Sequence, residues 1–353
     1  MKLKSPFRTF TGISNQIVQT SLVILTSSLA ANAATFTWDG GGTDTKASNV
    51  INWVGDAAPL PAGYDIIFSG TSTIGTTVNW DYAQNFRSLT FDSAALAYTI
   101  GGTTPIQFIT TGIDSLVNNS ANTQTITDTV NVFYNGSKGF NTGSVAGGSL
   151  VLSNIVFRGD TMASGTNTLT LTGSNNGTIG GTITRAAFGG TAVDALTKSG
   201  TGTWTLNGAA GYTGVTTITG GLLRVNSTNT TSAVTVSGGA LGGTGSVTGA
   251  VTVSGTGGTN LINGTVGTFA LGSNLSITGA VGANNLKFDL GAAAGGTDKI
   301  TVAGTTSVTT AGAAVIMPSN APVSSRTGPP RSPEFRVIDR VIRAVPPSKS
   351  VAA

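Results

Sequence analysis

Leu196-Thr197-Lys198-Ser199-Gly200-Thr201-Gly202-Thr203-Trp204-Thr205-Leu206 runs into Gly211-Tyr212-Thr213-Gly214-Val215-Thr216-Thr217-Ile218 and then into Gly220-Gly221-Leu222-Leu223-Arg224-Val225. Within this stretch, Thr203–Leu206 and Val215–Ile218 alternate apolar or β-branched residues with threonine, a period of two that marks strands with one buried face. Each run is broken by glycine. The same texture continues outward in Val234-Thr235-Val236-Ser237, Val251-Thr252-Val253, Leu275-Ser276-Ile277-Thr278 and Lys299-Ile300-Thr301-Val302. The paired glycines Gly220-Gly221, Gly238-Gly239 and Gly257-Gly258 recur at intervals of 18 and 19. Short strands punctuated at a near-constant spacing predict a solenoid, in which each coil buries its apolar face against its neighbours. The alternative, a β-sandwich of antiparallel hairpins, is also rich in glycine turns but does not require a regular glycine period. At coil lengths typical of such solenoids, residues 34–316 would make about a dozen coils.

Composition points the same way. Of 353 residues 51 are glycine, and only 9% are charged. Val, Ile and Leu are too abundant for a disordered chain, and the glycines lack the every-third-residue spacing of collagen. The chain has no cysteine and no histidine, which removes disulfides, thiolate metal sites and the commonest general base. Glu334 is the single glutamate. The body carries only Asp as acid, a residue of turns rather than helix interiors.

The net charge of +4 belongs to the two ends. Residues 1–33 hold Lys2, Lys4 and Arg8 without an acid, and residues 317–353 hold six bases against Glu334 and Asp339. Between them lie nine bases and twelve acids, the bases scattered singly. A phosphate-tracking surface needs clustered Lys and Arg, so nucleic acid is not an expected partner. Residues 1–33 read as a signal peptide: the basic start, the apolar Leu22–Leu25 run and Ala31-Asn32-Ala33 predict cleavage before Ala34. No other segment is long and apolar enough to span a membrane. Residues 317–353 hold seven of the eleven prolines and cannot continue a strand ladder. They read as a disordered tail, or as an end that is not the protein's native one, from a shifted frame or a truncated gene.

The stretch quoted at the outset resembles the passenger-associated transport repeat of autotransporter-associated β-strand repeat proteins. The resemblance rests on Lys198, Gly200 and Gly202, then Leu206, Tyr212 and Gly214, then Gly220, Gly221 and Leu223, and spans residues 196–226. Trp204 stands where such repeats more usually carry an aliphatic residue. The segment Gly238–Gly245 and the opening Thr37-Trp38-Asp39-Gly40-Gly41-Gly42 are similar to stretches of such exported bacterial proteins. The resemblance implies a right-handed parallel β-helix passenger, exported and held at or shed from the cell surface. Gly200 and Gly202 would then form the turn into the Thr203–Leu206 strand, and Tyr212 with Gly214 the next corner.

Two groups of residues bear on chemistry. Asp39, Asp44, Asp56, Asp65, Asp81 and Asp92 come close together in sequence, as a carboxylate pair or calcium site would. They equally fit turn capping, which Asp performs in most chains. Trp38, Trp53 and Trp80 read as a cap over the open end of the solenoid, or as a platform on which sugar rings stack. The expectation is a non-enzymatic, cofactor-free surface stalk, adhesin-like passenger or envelope-matrix component, with surface polysaccharide as a candidate partner. A β-helix protein that binds or cleaves polysaccharide is the alternative.

Overall fold

The computed structural model describes residues 34–59, 63–109, 112–133, 137–158, 165–186, 192–229, 231, 233–278, 286–289 and 297–308. The leader at 1–33 and the tail at 317–353 lie outside them.

Each coil runs through up to three strands, and each strand pairs with its counterpart one coil away. In the middle of the chain, Thr166–Thr172, Asn176–Ile179 and Ile183–Arg185 are followed by Val193–Lys198 and Thr203–Leu206. Then come Thr216–Ile218, Leu222–Val225 and Thr228–Asn229, and after them Ala233–Val236, Ala240–Gly242 and Ser246–Val247. First-face strands stack on first-face strands, with Leu169 beside Leu196, Leu196 beside Thr216 and Thr216 beside Val234. Second-face strands likewise form a 10-stranded sheet. The third face is split between a 16-stranded sheet, which it shares with the first face, and a 4-stranded sheet. Ala210 bridges the two parts, pairing with Ile183 on one side and Asn229 on the other. Every pairing between these strands is parallel, as in Ala233–Val236 against Ala250–Val253 and Thr203–Leu206 against Leu222–Val225. The fold is a parallel β-helix. The antiparallel sandwich is excluded, because its strands would have to reverse direction between neighbours.

The pattern of residues explains the stacking. Inward positions form ladders such as Leu196, Thr216, Val234, Val251 and Leu275, all buried. Full burial of one such aliphatic side chain is worth about 1.5–3 kcal/mol. The outward positions beside this ladder carry mainly Thr, Ser and Ala, while other strands place residues such as Arg87, Val151 and Arg224 outward. Coil length varies where loops are inserted: Ser246 sits 18 residues from its register partner Thr228, Ser149 26 from Thr123, and Ser307 31 from Ser276. Among the described residues no helix is long and apolar enough to cross a membrane.

At the N-terminal end, both sheets would present a free edge. The loop that follows the first strand, Thr35–Trp38, closes them. Asp39 N and Gly40 N donate to Asn52 O, and Val54 N donates to Thr37 O, so residues 52–54 cover that strand's outer edge. Ala47 N donates to Asn79 O and Asn79 N to Thr45 O, which covers the edge of Thr77–Trp80. An exposed parallel edge invites pairing with another chain, and this loop removes the opportunity.

Candidate functional site

The repeat segment forms one coil and part of the next. Its polar chemistry gathers at the corner between the first and second faces. Lys198 occupies a position of the core ladder, between Leu171 in the preceding coil and Ile218 in the following one. The side chain is fully buried, and its Nζ turns into the corner to donate to Ser199 O at 2.5 Å, Gly200 O at 3.1 Å and Gly220 O at 3.1 Å. One ammonium therefore ties the turn of its own coil to the turn of the next. Burial pulls its pKa from the usual 10.5 down to about 8.

The glycines make room for this contact. Gly200 and Gly221 both have positive φ, at 69° and 61°, a region where a β-carbon is strained. A β-carbon on Gly221 would also lie 2.3 Å from Gly202 O and 2.7 Å from Lys198 Nζ. The paired glycines that set the sequence period stack in this corner, where backbones of successive coils approach too closely for side chains. Gly220 packs over Gly200, and Gly239 over Gly220.

Tyr212 is also fully buried, and its hydroxyl anchors a polar network inside the coil. It lies 2.6 Å from Thr216 Oγ1 and accepts from Asn229 Nδ2 at 2.9 Å. Thr216 Oγ1 donates to Thr231 Oγ1 at 3.2 Å, and Thr231 Oγ1 donates to Gly214 O at 2.5 Å. Burial pushes the phenol pKa up to about 12. Gly214 N donates to Asp194 O at 2.6 Å, so the Tyr212–Gly214 corner is fastened to the preceding strand as well. Leu206 and Leu223 point inward and are buried.

Trp204 is accommodated by a residue outside the repeat. Gly177 is its register partner in the preceding coil, and a β-carbon there would fall 2.4–2.5 Å from the indole ring. The indole Nε1 donates to Thr172 O at 3.1 Å. Sequence reasoning passed over Gly177, because nothing local marks it as the notch for a ring one coil away.

The three N-terminal tryptophans have 0% exposure. Trp53 meets Trp38 edge-on at 5.3 Å and Trp80 at 6.5 Å, and Trp80 stacks on Tyr82 at 5.8 Å. Trp53 Nε1 donates to Ala47 O at 2.8 Å, inside the loop that covers the sheet edges. No face of these rings is open to a sugar, so the stacking platform loses its residues: a ring that packs other aromatics on its faces has no surface left for a ligand.

Most of the aspartates hold turns or pair with nearby coils, and Asp56 sits exposed in a turn at φ 53°. Asp39 accepts from Gly41 N and Asp92 from Ala94 N, two residues on in each case. Asp44 accepts from Asn49 Nδ2 and Lys46 N, and these bonds lower its pKa. Asp81 accepts from Ser48 N and Oγ. Asp65 pairs with Arg87 and accepts from Ser88 Oγ; burial opposes its ionisation, but these partners hold its pKa below the usual value. Among the described residues no three carboxylates converge. A surface groove of about 370 Å³ along the second face is lined by uncharged residues such as Ser149, Asn175, Asn176 and Thr178.

Buried polar residues elsewhere were not anticipated from the sequence. Lys138 is fully buried and donates to Phe133 O at 3.2 Å. Asn167 and Asp194 are register partners, both inward, and Arg185 Nε lies 3.6 Å from Asp194 Oδ2. Their alternation with apolar neighbours is what marks them as inward, and that signal was available in Asn167-Thr168-Leu169 and Asp194-Ala195-Leu196.

Residues 196–225 match the family model of the passenger-associated-transport-repeat. No curated protein and no solved structure matches the chain. An autotransporter-associated repeat thus occupies the coil in which Lys198 and Tyr212 sit, and repeat and parallel β-helix together fit an autotransporter passenger.

Proposed function

We propose that this chain is an exported, non-enzymatic β-solenoid that works mechanically at the cell surface, as a stalk, an adhesin-like passenger or a component of the envelope matrix. The observation that carries this reading is the passenger-associated repeat at 196–225, built into an uninterrupted stack of parallel coils. A stack of this kind buries a continuous core along one axis and leaves the outer faces to hydroxyl-bearing side chains. The non-enzymatic part is supported by Asp39, Asp44, Asp65, Asp81 and Asp92, each engaged in a hydrogen bond or an ion pair, and by a groove without a charged lining residue. Asp128, whose buried Oδ2 has no partner among the described residues, does not line that groove. An enzyme acting on polysaccharide would need a carboxylate free to donate or accept a proton at its substrate.

The test is peptide mass spectrometry on cytosol, envelope and medium of the native cell, with protease shaving of intact cells. Peptides from 34–308 in the envelope or medium, with a mature N-terminus at Ala34, are expected. Recovery confined to the cytosol, with Met1 retained, would overturn export. Depolymerisation of a surface polysaccharide by the purified chain would overturn the non-enzymatic assignment and favour the polysaccharide reading.

A further inference from the structure

The outer surface of the first face carries a two-dimensional array of hydroxyls that the stalk reading does not use. Thr217-Ile218-Thr219 is followed one coil on by Thr235-Val236-Ser237, and one coil further by Thr252-Val253-Ser254. The central isoleucine and valines are buried, so the flanking hydroxyl residues face outward. Thr217, Thr235 and Thr252 are direct register partners, and the same row extends back through Thr197 to Thr170 and forward to Ser276. No register shift interrupts it. Neighbouring hydroxyls in the row are therefore about 4.8 Å apart, and the second row lies about 6.6 Å away along the strand.

The array is preorganised. Threonine is β-branched and stiff at χ1. In the second row Thr219 Oγ1 donates to Lys198 O at 3.4 Å, and Ser237 Oγ and Thr278 Oγ1 each donate to a carbonyl of the preceding coil at 3.5 Å. These contacts are long for hydroxyl hydrogen bonds, so the second-row hydroxyls can also turn toward an external partner. The hydroxyls of Thr197, Thr217, Thr235 and Thr252 take no hydrogen bond from any described residue of the protein and remain open to an external partner.

The chemistry of the surface selects that partner. Across these coils the outward positions are Thr, Ser, Ala and Val, with Asn274 before the last strand, and carry no charge and no aromatic ring. Lack of cations excludes a phosphate-rich polymer. Lack of aromatic faces disfavours a sugar chain, which binds largely by stacking. What fits is an uncharged ligand that repeats in two dimensions and hydrogen-bonds at both spacings. The two spacings lie close to repeats on the surface of hexagonal ice. We propose that the first face, from Thr170 to Thr278, binds ice. Binding needs little ordering of the protein, because the backbone register sets the spacing of the rows and the threonines are stiff at χ1. The inference is independent of the stalk reading, since it depends only on the register of this face.

The experiment is partition of the purified full chain into slowly grown ice, together with inhibition of ice recrystallisation. The wild type is expected to concentrate in the ice fraction and to hold grain size small. The variant Thr217→Tyr/Thr235→Tyr, which breaks the flat array, is expected to fall to the level of an ice-inert globular protein at equal molarity. Thr205→Tyr, outward on the second face, should behave as wild type. Circular dichroism confirms that each variant keeps its β-sheet signal; if the double variant loses it, Thr252→Lys takes its place. Exclusion of the wild type from ice, or undiminished activity in the folded first-face variant, would overturn the proposal.

Discussion

Replacing Lys198 by methionine sets two opposing effects against each other, and their magnitudes decide the outcome. The ammonium donates to Ser199 O, Gly200 O and Gly220 O. Hydrogen bonds from a charged donor contribute about 1.5–3 kcal/mol each, so three of them are worth roughly 4–9 kcal/mol. Against this stands the cost of burying the cation. Burial of the charge opposes those bonds and is what pulls the pKa from 10.5 down to about 8. Methionine removes both the bonds and the buried charge, leaving three carbonyls to find new partners as the corner relaxes. The net destabilisation expected for Lys198→Met is then about 2–3 kcal/mol. Because solenoids unfold in parts, the loss should be read locally, by hydrogen exchange at pH 7. The amides to follow are Gly202, Thr219 and Leu222, which bond across this corner to the preceding coil. Their exchange should accelerate roughly 30- to 150-fold, at 1.4 kcal/mol per decade. Exchange in the first coils, around Trp38 and Trp80, should not change. If Lys198→Met leaves these amides as protected as before, or more so, desolvation outweighs the three bonds and the lysine is not a staple.

Three further outcomes are expected. Gly177→Ala should destabilise by about 2–4 kcal/mol, since its β-carbon would fall inside the Trp204 ring contact, while Gly177→Ala/Trp204→Leu should recover much of that loss in a double-mutant cycle. Trp53→Ala should cost about 3–5 kcal/mol and raise exchange at Ala47, Val54 and Asn79, because the ring and its bond to Ala47 O hold the edge-covering loop. Stability should also depend on pH in the alkaline range. Lys138 and Lys198 titrate near 8 when folded and near 10.5 when unfolded, so between pH 8 and 10 the unfolded chain holds protons that the folded chain has released, and stability rises with pH. Tyr98 and Tyr212 titrate near 12 when folded and near 10 when unfolded, so stability falls again above pH 10. Denaturant midpoints across pH 7–11 should pass through a maximum near 10, and Lys198→Met should lose about half of the rise.

The solenoid was legible because its determinants are local. Alternation in Val234–Ser237 or Leu275–Thr278 fixes which side chains turn inward, and the glycine pairs fix where successive coils touch. Lys198, Tyr212 and the glycines around them were legible only through resemblance, and their roles were not. A lysine in an aliphatic ladder reads from sequence as an ordinary surface residue, since the carbonyls it meets come from a turn 22 residues later. Contacts between coils were hidden for the same reason. Register partners lie 18 residues apart in one place and 31 in another, so no fixed period connects Gly177 with Trp204 or Asn167 with Asp194. The tryptophans were legible as a cluster, but a cluster does not disclose that its ring faces pack on one another.

Everything argued for this chain depends on parallel, in-register stacking, and the absence of native cysteine makes that directly testable. Thr217→Cys/Thr235→Cys places two thiols on register partners of adjacent coils. At the usual spacing of about 4.8 Å between strands, their α-carbons lie within the range a disulfide spans. Thr217→Cys/Thr252→Cys places them two coils apart, beyond that range. Under mild oxidation of the folded monomer, rapid intramolecular cross-linking of the first pair and none of the second is expected. Cross-linking of the second pair, or failure of the first, would contradict the parallel β-helix.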